Sequence, residues 1–280
     1  MKAKLLILAA LFFVSAAIPQ AIAQGLTGRA YYKSSSSIQF QMDSSKTSPE
    51  QMAEIQAQLK KQMEKDYILS FTQTESNWKQ AESLGSGPAT ASSGGMTMVI
   101  NTGSADRVLY KNIADQAYEQ EQDLMGKEFL IKDVLEPAEW ELTEETKKIG
   151  NYNAQKAVYS KIIDSQRFST GMTEMEAVKD TIKVEAWFTP EIPVSHGPDN
   201  YFGLPGLILE VHNQGRTLIC EKIELNPASN PVEIEHPKRG KIVSREEFRT
   251  VQEEGMKQMM NRYQGKPGEG NQFTIRVGNE

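Results

Sequence analysis

The chain has 280 residues, of which 39% are hydrophobic and 24% are charged, and its formal net charge at pH 7 is −6. A single cysteine excludes an internal disulfide framework and a cysteine-based zinc ribbon, and the excess of acidic over basic residues argues against a nucleic-acid-binding protein. The apolar content is sufficient for a hydrophobic core, and the length fits one large domain or two small ones.

The N-terminus has the three parts of a secretory signal peptide. Two lysines come before an apolar stretch over residues 5–17, and an Ala-x-Ala cleavage site ends at Ala23. The apolar stretch is shorter than the roughly 20 residues that cross a bilayer. We therefore predict a signal peptide over 1–23 and one exported domain over 24–280, located in the periplasm or cell envelope or secreted. No cysteine lies near the cleavage site, so a lipid anchor is not expected, and no later segment predicts a membrane span.

An amphipathic helix is predicted near residues 48–65. Ser48-Pro49-Glu50-Gln51 forms a capping box with proline at the first helical position, and apolar residues follow at helical spacing. The small, glycine- and serine-rich stretch 84–95 predicts a flexible loop between two strands.

Short runs of alternating apolar and polar residues predict strands along most of the chain. Within 181–188, for example, every second residue from Ile182 to Phe188 is apolar and would share one face. Turn-rich gaps separate most runs, and Asn213-Gln214-Gly215 is typical of a hairpin turn, so an antiparallel sheet is favoured. The stretch 165–179 resembles an insertion within a hairpin. The predicted strands are 67–74, 96–100, 107–110, 128–132, 157–163, 181–188, 207–212, 217–225 and 272–277.

A segment rich in proline, glycine and aromatic residues joins the strand that ends at Pro190 to the strand that begins at Leu207. Proline fixes φ and glycine permits positive φ or close backbone approach, so the segment predicts an ordered crossover loop. Tyr201, Phe202 and Leu204 would plug one end of the sheet, and the loop would be either a ligand mouth or a structural closure. The candidate ligand-binding residues are Trp187, Pro193, Gly197, Pro198, Tyr201, Phe202, Gly203, Leu204, Pro205 and Gly206.

A second amphipathic helix is predicted near residues 244–263, again after a Ser-x-x-Glu capping box. Its last turns carry Met256, Met259 and Met260, and thioethers are ligands for soft ions such as Cu(I). Methionines on such a helix are more often core residues. Together with His196, the three methionines form an alternative metal site.

No catalytic motif is found in the sequence. Gly-x-Ser-x-Gly is absent, and His196, His212 and His236 form no His-Glu-x-x-His or His-x-His pair and are expected to be mostly exposed. Cys220 lies in an apolar run and is expected to be a buried structural thiol. We therefore expect no enzyme activity, catalytic residue or cofactor.

One motif connects the chain with a known family. Gly203-Leu-Pro-Gly-Leu-Ile208 matches the name-giving motif of the GLPGLI family of exported, Bacteroidetes-type proteins, and the chain resembles that family over roughly 108–225. Two departures occur: one residue is inserted before Tyr152, and Ala154 stands where a cysteine is common. The resemblance implies an exported protein of a largely uncharacterised family, with no established activity or catalytic residues. By analogy we expect a sheet similar to the half-barrels of periplasmic lipoprotein carriers.

These observations predict a mainly β (α+β) fold, in which two amphipathic helices cover a strongly curved antiparallel sheet or half-barrel. The leading hypothesis is a non-enzymatic binding or carrier protein that holds an apolar or peptide-like ligand, or an envelope protein partner, on the concave face. The alternatives are a periplasmic metal-binding or metal-responsive protein that uses methionine and histidine, as copper proteins do, and a hydrolase whose site is assembled through space.

Overall fold

The computed structural model describes a mainly β protein. The described residues are 25–36, 48–81, 89–93, 96–100, 107–169, 176–213, 215–264 and 274–278, so the predicted signal peptide lies outside them. Their elements, in chain order, are β1 (Gly28–Ser36), α1 (Pro49–Gln62), β2 (Lys65–Phe71), β3 (Glu75–Gln80), β4 (Ala89–Ser93), β5 (Met96–Ile100), β6 (Val108–Asn112), β7 (Ala117–Leu124), β8 (Lys127–Val134), β9 (Glu141–Ile149), β10 (Tyr152–Ser169), β11 (Glu176–Thr189), β12 (Leu207–Asn213), β13 (Arg216–Leu225), β14 (Lys241–Val243), α2 (Arg245–Gln264) and β15 (Thr274–Gly278).

One large, open sheet dominates the described part of the chain. Its strand order is β14-β8-β7-β6-β3-β2-β1-β13-β12-β11-β10-β15, and β9 also pairs with β10. Neighbouring strands are antiparallel except β14 and β8, which are parallel, so the sheet is mixed and not purely antiparallel as predicted. The strands β4 and β5 form a separate two-stranded sheet.

Every predicted strand overlaps an observed one, but two predicted loops differ from the structure. The ladder between β10 and β11 continues without a break to the pair Arg167 and Glu176, so the insertion predicted over 165–179 is mostly strand. Within the predicted loop 84–95, Ala89–Ser93 form β4, and the rest of that stretch lies outside the described residues. The sequence analysis also missed β1, β3, β7, β9 and β14.

Both helices begin at the predicted capping boxes, and they lie against different sheets. The Ser48 hydroxyl accepts a hydrogen bond from the Gln51 amide, and the Ser244 hydroxyl accepts one from Glu247. The first helix, α1, lies against β4 of the small sheet. The second, α2, lies beside β8, where the Phe248 ring meets the Phe129 ring edge to face at 5.4 Å. No helix in the described part of the chain is long and apolar enough to cross a membrane.

The loop between β11 and β12 covers one face of the large sheet. We call residues 190–206 the plug, and we call the face that it covers the inner face. Strand pairing places Ala30, Leu69, Trp78 and Leu109 on this face. The plug contributes apolar side chains to the same core cluster, and these are Ile192, Val194, Tyr201, Phe202 and Leu204. The prediction of an ordered crossover loop with apolar plugging residues is therefore confirmed.

The end of the plug runs very close to its beginning, at Gly206. A Cβ atom built on Gly206 would lie 2.1 Å from the backbone oxygen of Thr189. Because Thr189 is held in the sheet by its pairing with Leu207, the backbone cannot move away easily. The last glycine of the family-like motif is therefore required for steric reasons.

We expect Gly206→Ala to lower the free energy of unfolding by about 3 kcal/mol, because overpacking against backbone cannot be relieved by a rotamer change. Urea unfolding measures the loss. Gly25→Ala is the matched control, since no atom lies within 4 Å of its added Cβ. Equal stability of the two variants would show that the approach at Thr189 is not tight.

Candidate binding site

The plug runs along the inner face from one end of the strands to the other. It begins and ends where Thr189 pairs with Leu207. Its far part reaches the opposite end of β12, where the Asn213 side-chain amide donates to the Tyr201 hydroxyl at 2.9 Å. Since β12 has seven residues, this path covers about 20 Å. The plug thus extends from one end of β12 to the other.

A buried lysine holds the middle of the plug. Lys111 on β6 is fully buried, and its Nζ donates to the backbone carbonyls of Gly197, Asp199 and Tyr201. An ammonium group has three donors, so the three acceptors match it. Burial lowers the pKa of Lys111 to about 7, although the nearby Asp199 carboxylate favours the charged form. Lys111 therefore fixes alternate carbonyls of one irregular segment.

A carboxylate at the tip of the plug joins two arginines. Oδ2 of Asp199 lies 2.7 Å from Nη1 of Arg216, and Oδ1 lies 3.5 Å from Nη2 of Arg107. Burial alone would raise the pKa of Asp199, but Arg107, Arg216 and Lys111 together hold it below its usual value. Arg216 begins β13 and Arg107 directly precedes β6, and β3, β2 and β1 lie between these strands in the sheet. Contact of both arginines with one carboxylate is compatible with a curved sheet.

The surroundings of this ion pair are polar and aromatic. The Ser34 hydroxyl accepts from Nε of Arg216 at 3.3 Å, and the Tyr67 ring stacks on Trp78 with 4.7 Å between centroids. The side chains of Arg107 and Arg216 keep 37% and 31% of their exposure, whereas Asp199 keeps 7%. Arg107 also borders a cavity of about 160 Å³, whose other lining residues are Glu121, Gln122, Asp123, Glu128, Phe129 and Arg239.

His196 lies in the plug with no exposure, so the expectation that it would be exposed was wrong. Within the described residues, no hydrogen bond of good geometry reaches either ring nitrogen. Burial, and next the charge of Lys111, lower the pKa of His196 to about 3, although the Thr72 backbone opposes the shift. A ring in this position is neutral at ordinary pH. The other two histidines are less enclosed: His212 bonds Glu210 and Thr217, and His236 is exposed and packs on Tyr110.

The residues proposed for ligand contact do not form one open surface in this conformation. Trp187 points to the opposite face of the sheet, where the Nζ of Lys147 lies 4.2 Å from its ring centroid. Three of the remaining residues are exposed, namely Pro193, Gly203 and Pro205. The six others are buried, namely Gly197, Pro198, Tyr201, Phe202, Leu204 and Gly206.

The alternative metal site has no support among the described residues. The side chains of Met256, Met259 and Met260 lie outside the description. No group of three histidine, cysteine, aspartate or glutamate side chains that could hold a metal ion occurs in the described ranges. Cys220 is partly buried, and burial raises its pKa to about 12, as expected for a structural thiol.

The residues that the sequence analysis missed are the charged ones. A weak signal was available, because alternation from Leu109 places Arg107 and Lys111 on the same face as that buried leucine. Asp199 and Arg216 gave no such signal, since one lies in a loop and the other at the end of a strand.

The comparisons with known proteins add a local match. The sequence model of a family described as "Protein of unknown function (Porph_ging)" matches residues 140–210, which include β10, β11 and the plug. No curated protein matches the chain.

Two solved structures show a weak similarity to this chain. They are the structure of PNGF-II in space group C2, with 14% identity and a TM-score of 0.44, and in space group P21, with 15% identity and a TM-score of 0.45. They cover 81% and 80% of this chain, which spans 32% and 33% of theirs, or about a third of their length.

We expect Lys111→Met to lower the free energy of unfolding by about 3 kcal/mol, because three enclosed carbonyls lose their donor. Denaturant unfolding provides the measurement. Lys79→Met is the control: it removes an exposed ion pair with Glu235 and should change stability by less than about 1 kcal/mol. Similar losses in both variants would mean that Lys111 does not hold the plug.

The buried His196 predicts acid sensitivity between its ordinary pKa of 6.5 and about 3. In this window the unfolded chain binds a proton that the folded chain does not, so stability falls as pH falls. His196→Phe keeps a ring but cannot titrate. On acidification from about pH 7 to pH 4, we expect the free energy of unfolding to fall by up to about 3 kcal/mol less in this variant than in the wild type. Unfolding curves measured across this range give the difference. Parallel pH profiles for the two proteins would contradict a buried neutral histidine.

Proposed function

We propose that the protein is an exported, non-enzymatic binding protein of the GLPGLI type, which holds a peptide-like ligand or partner segment on the inner face of a half-barrel sheet. The signal-peptide-like N-terminus supports export. The motif at Gly203–Ile208, at the junction of the plug and β12, supports the family, and the match at residues 140–210 is compatible with it.

The observation that carries this proposal is the way in which the inner face holds the plug. Side chains donate to plug carbonyls that are not paired in the sheet. Lys111 donates to three of these carbonyls, and Nε1 of Trp140 donates to the carbonyl of Phe202 at 2.8 Å. Contacts of this kind recognise backbone carbonyls and depend little on the side chains of the segment that carries them. The inner face is thus suited to an irregular peptide segment, and in this conformation the plug is that segment.

Binding on this face requires the plug to move. Leu204 and Phe202 fill the space that an apolar or peptide-like ligand would need. The plug is attached to the sheet at both ends by the pair Thr189 and Leu207, so it can swing out while β11 and β12 stay paired. A ligand would then replace the plug contacts one for one.

Trp140 can report this movement, because its indole bonds the plug directly. The chain has three tryptophans, so Trp78→Phe with Trp187→Phe leaves Trp140 alone. We expect its emission to shift to the red, saturably, when an extended peptide or an apolar ligand binds. The measurement is a fluorescence titration with a panel of unstructured peptides, fatty acids and detergents below their micelle concentrations.

Trp78→Phe with Trp140→Phe is the matched control, since it leaves only Trp187, on the opposite face of the sheet. An equal response from Trp187 would indicate a global change. If no member of the panel shifts Trp140 or raises the melting temperature, a binding role for the inner face is wrong.

A further inference from the structure

We propose that Arg107 and Arg216 form a carboxylate-binding site on the inner face, and that the carboxylate of Asp199 occupies this site while the plug is closed. This inference rests on the proposed function and names the chemistry of the ligand. The ligand would carry a carboxylate on an extended or apolar chain.

The geometry is that of an anion site to which two separate parts of the sheet each contribute one arginine. The guanidinium groups come from the start of β13 and the residue before β6, and they approach opposite oxygens of one carboxylate. Guanidinium groups suit carboxylates because their donors lie in a planar fork. The contact with Arg216, at 2.7 Å, is tighter than that with Arg107, at 3.5 Å, so a better-placed carboxylate could improve the second contact.

The charges favour exchange of one carboxylate for another. Arg107 and Arg216 act electrostatically on Asp199, and Lys111, with a pKa of about 7, adds to their positive charge when it is protonated. If the tip of the plug left, these groups would lose the Asp199 carboxylate that they share. A neutral ligand would leave the repulsion between these positively charged groups unchanged, whereas a carboxylate would offset it.

The site is accessible at its outer side. Both arginines keep about a third of their side-chain exposure, so a solute can reach them before the plug has moved. The cavity beside Arg107 is not the seat of the anion, because Asp123 and Glu128 line it. The carboxylate position is that of Asp199 itself, next to the Ser34 hydroxyl that bonds Arg216.

Asp199 can be replaced without straining the chain. Its φ is +51°, a value that glycine adopts freely, so Asp199→Gly removes the carboxylate and suits the turn. Asp199→Asn keeps the size and removes only the charge. Both variants retain the backbone carbonyl that Lys111 binds.

The experiment measures binding of carboxylates and their neutral analogues to the wild type and to both variants by calorimetry. One pair of probes is decanoate and decanol, and the other is an unstructured peptide with a free or an amidated C-terminus. These pairs separate a fatty acid from a peptide terminus. We expect the carboxylate form of one pair to bind the wild type, its affinity to rise at least tenfold in Asp199→Gly or Asp199→Asn, and binding to vanish when Arg216→Gln is added.

The outcomes distinguish this inference from the broader proposal. If the neutral analogues bind as well as the carboxylates, the inner face binds ligands but the arginine pair does not select them, and the inference fails alone. If acetate stabilises Asp199→Gly but no carboxylate probe binds the wild type up to millimolar concentration, the pair only anchors the plug, and the inference is again wrong. If no probe of either kind binds any of the proteins, both proposals fail.

Discussion

The ammonium group of Lys111 has no exposure to water, so it must find its hydrogen-bond acceptors inside the protein. Its three acceptors are backbone carbonyls of the plug, a segment that is not in a strand. This requirement fixes the path of the plug, because the carbonyls of Gly197, Asp199 and Tyr201 must all face the same nitrogen.

Once the middle of the plug is fixed in this way, the positions of its neighbours follow. Asp199 is brought to the two arginines, and Phe202 lies with its ring 5.8 Å from the lysine nitrogen. The apolar residues on either side then complete the core of the large sheet. Polar contacts thus position an apolar core, and the carboxylate of Asp199, a residue of the plug, lies among the positively charged groups that hold the plug.

The sequence predicted the strands with strong alternation, the two helix starts and the loop between Pro190 and Leu207. It did not predict β1 or β7. In β1 the buried positions are held by Gly28, Ala30 and Ser34 as well as Tyr32, so hydrophobic alternation is weak. In β7 two polar residues, Gln120 and Glu121, are buried, so the hydrophobic alternation is weak. Gln120 bonds the Tyr118 hydroxyl on the same strand, whereas Glu121 accepts from the Lys238 amide, which lies far away in the chain. The paths of β10 and β11 through 165–169 and 176–179 were missed because most residues of 165–169 are polar and resemble those of a loop.

For the site, the sequence pointed to the correct segment but not to the residues that determine its geometry. Proline, glycine and aromatic residues marked the plug, whereas Lys111 and Arg216 lie in strands and are charged, which normally indicates solvent. His196 was misjudged for the same reason, since a polar residue in a loop is usually exposed. Their burial depends on contacts over dozens of residues, and local spacing does not contain that information.

The small sheet shows how this chain treats an exposed strand edge. The side-chain amides of Gln58 and Gln62 on α1 each donate to and accept from the backbone of β4, at Ser92 and Thr90. Two glutamines thus take the place of a neighbouring strand, with four hydrogen bonds at the spacing of alternate residues. Another chain could pair with this edge of β4 only by displacing α1. The helix therefore protects the edge from self-association in a protein whose structure is mostly β.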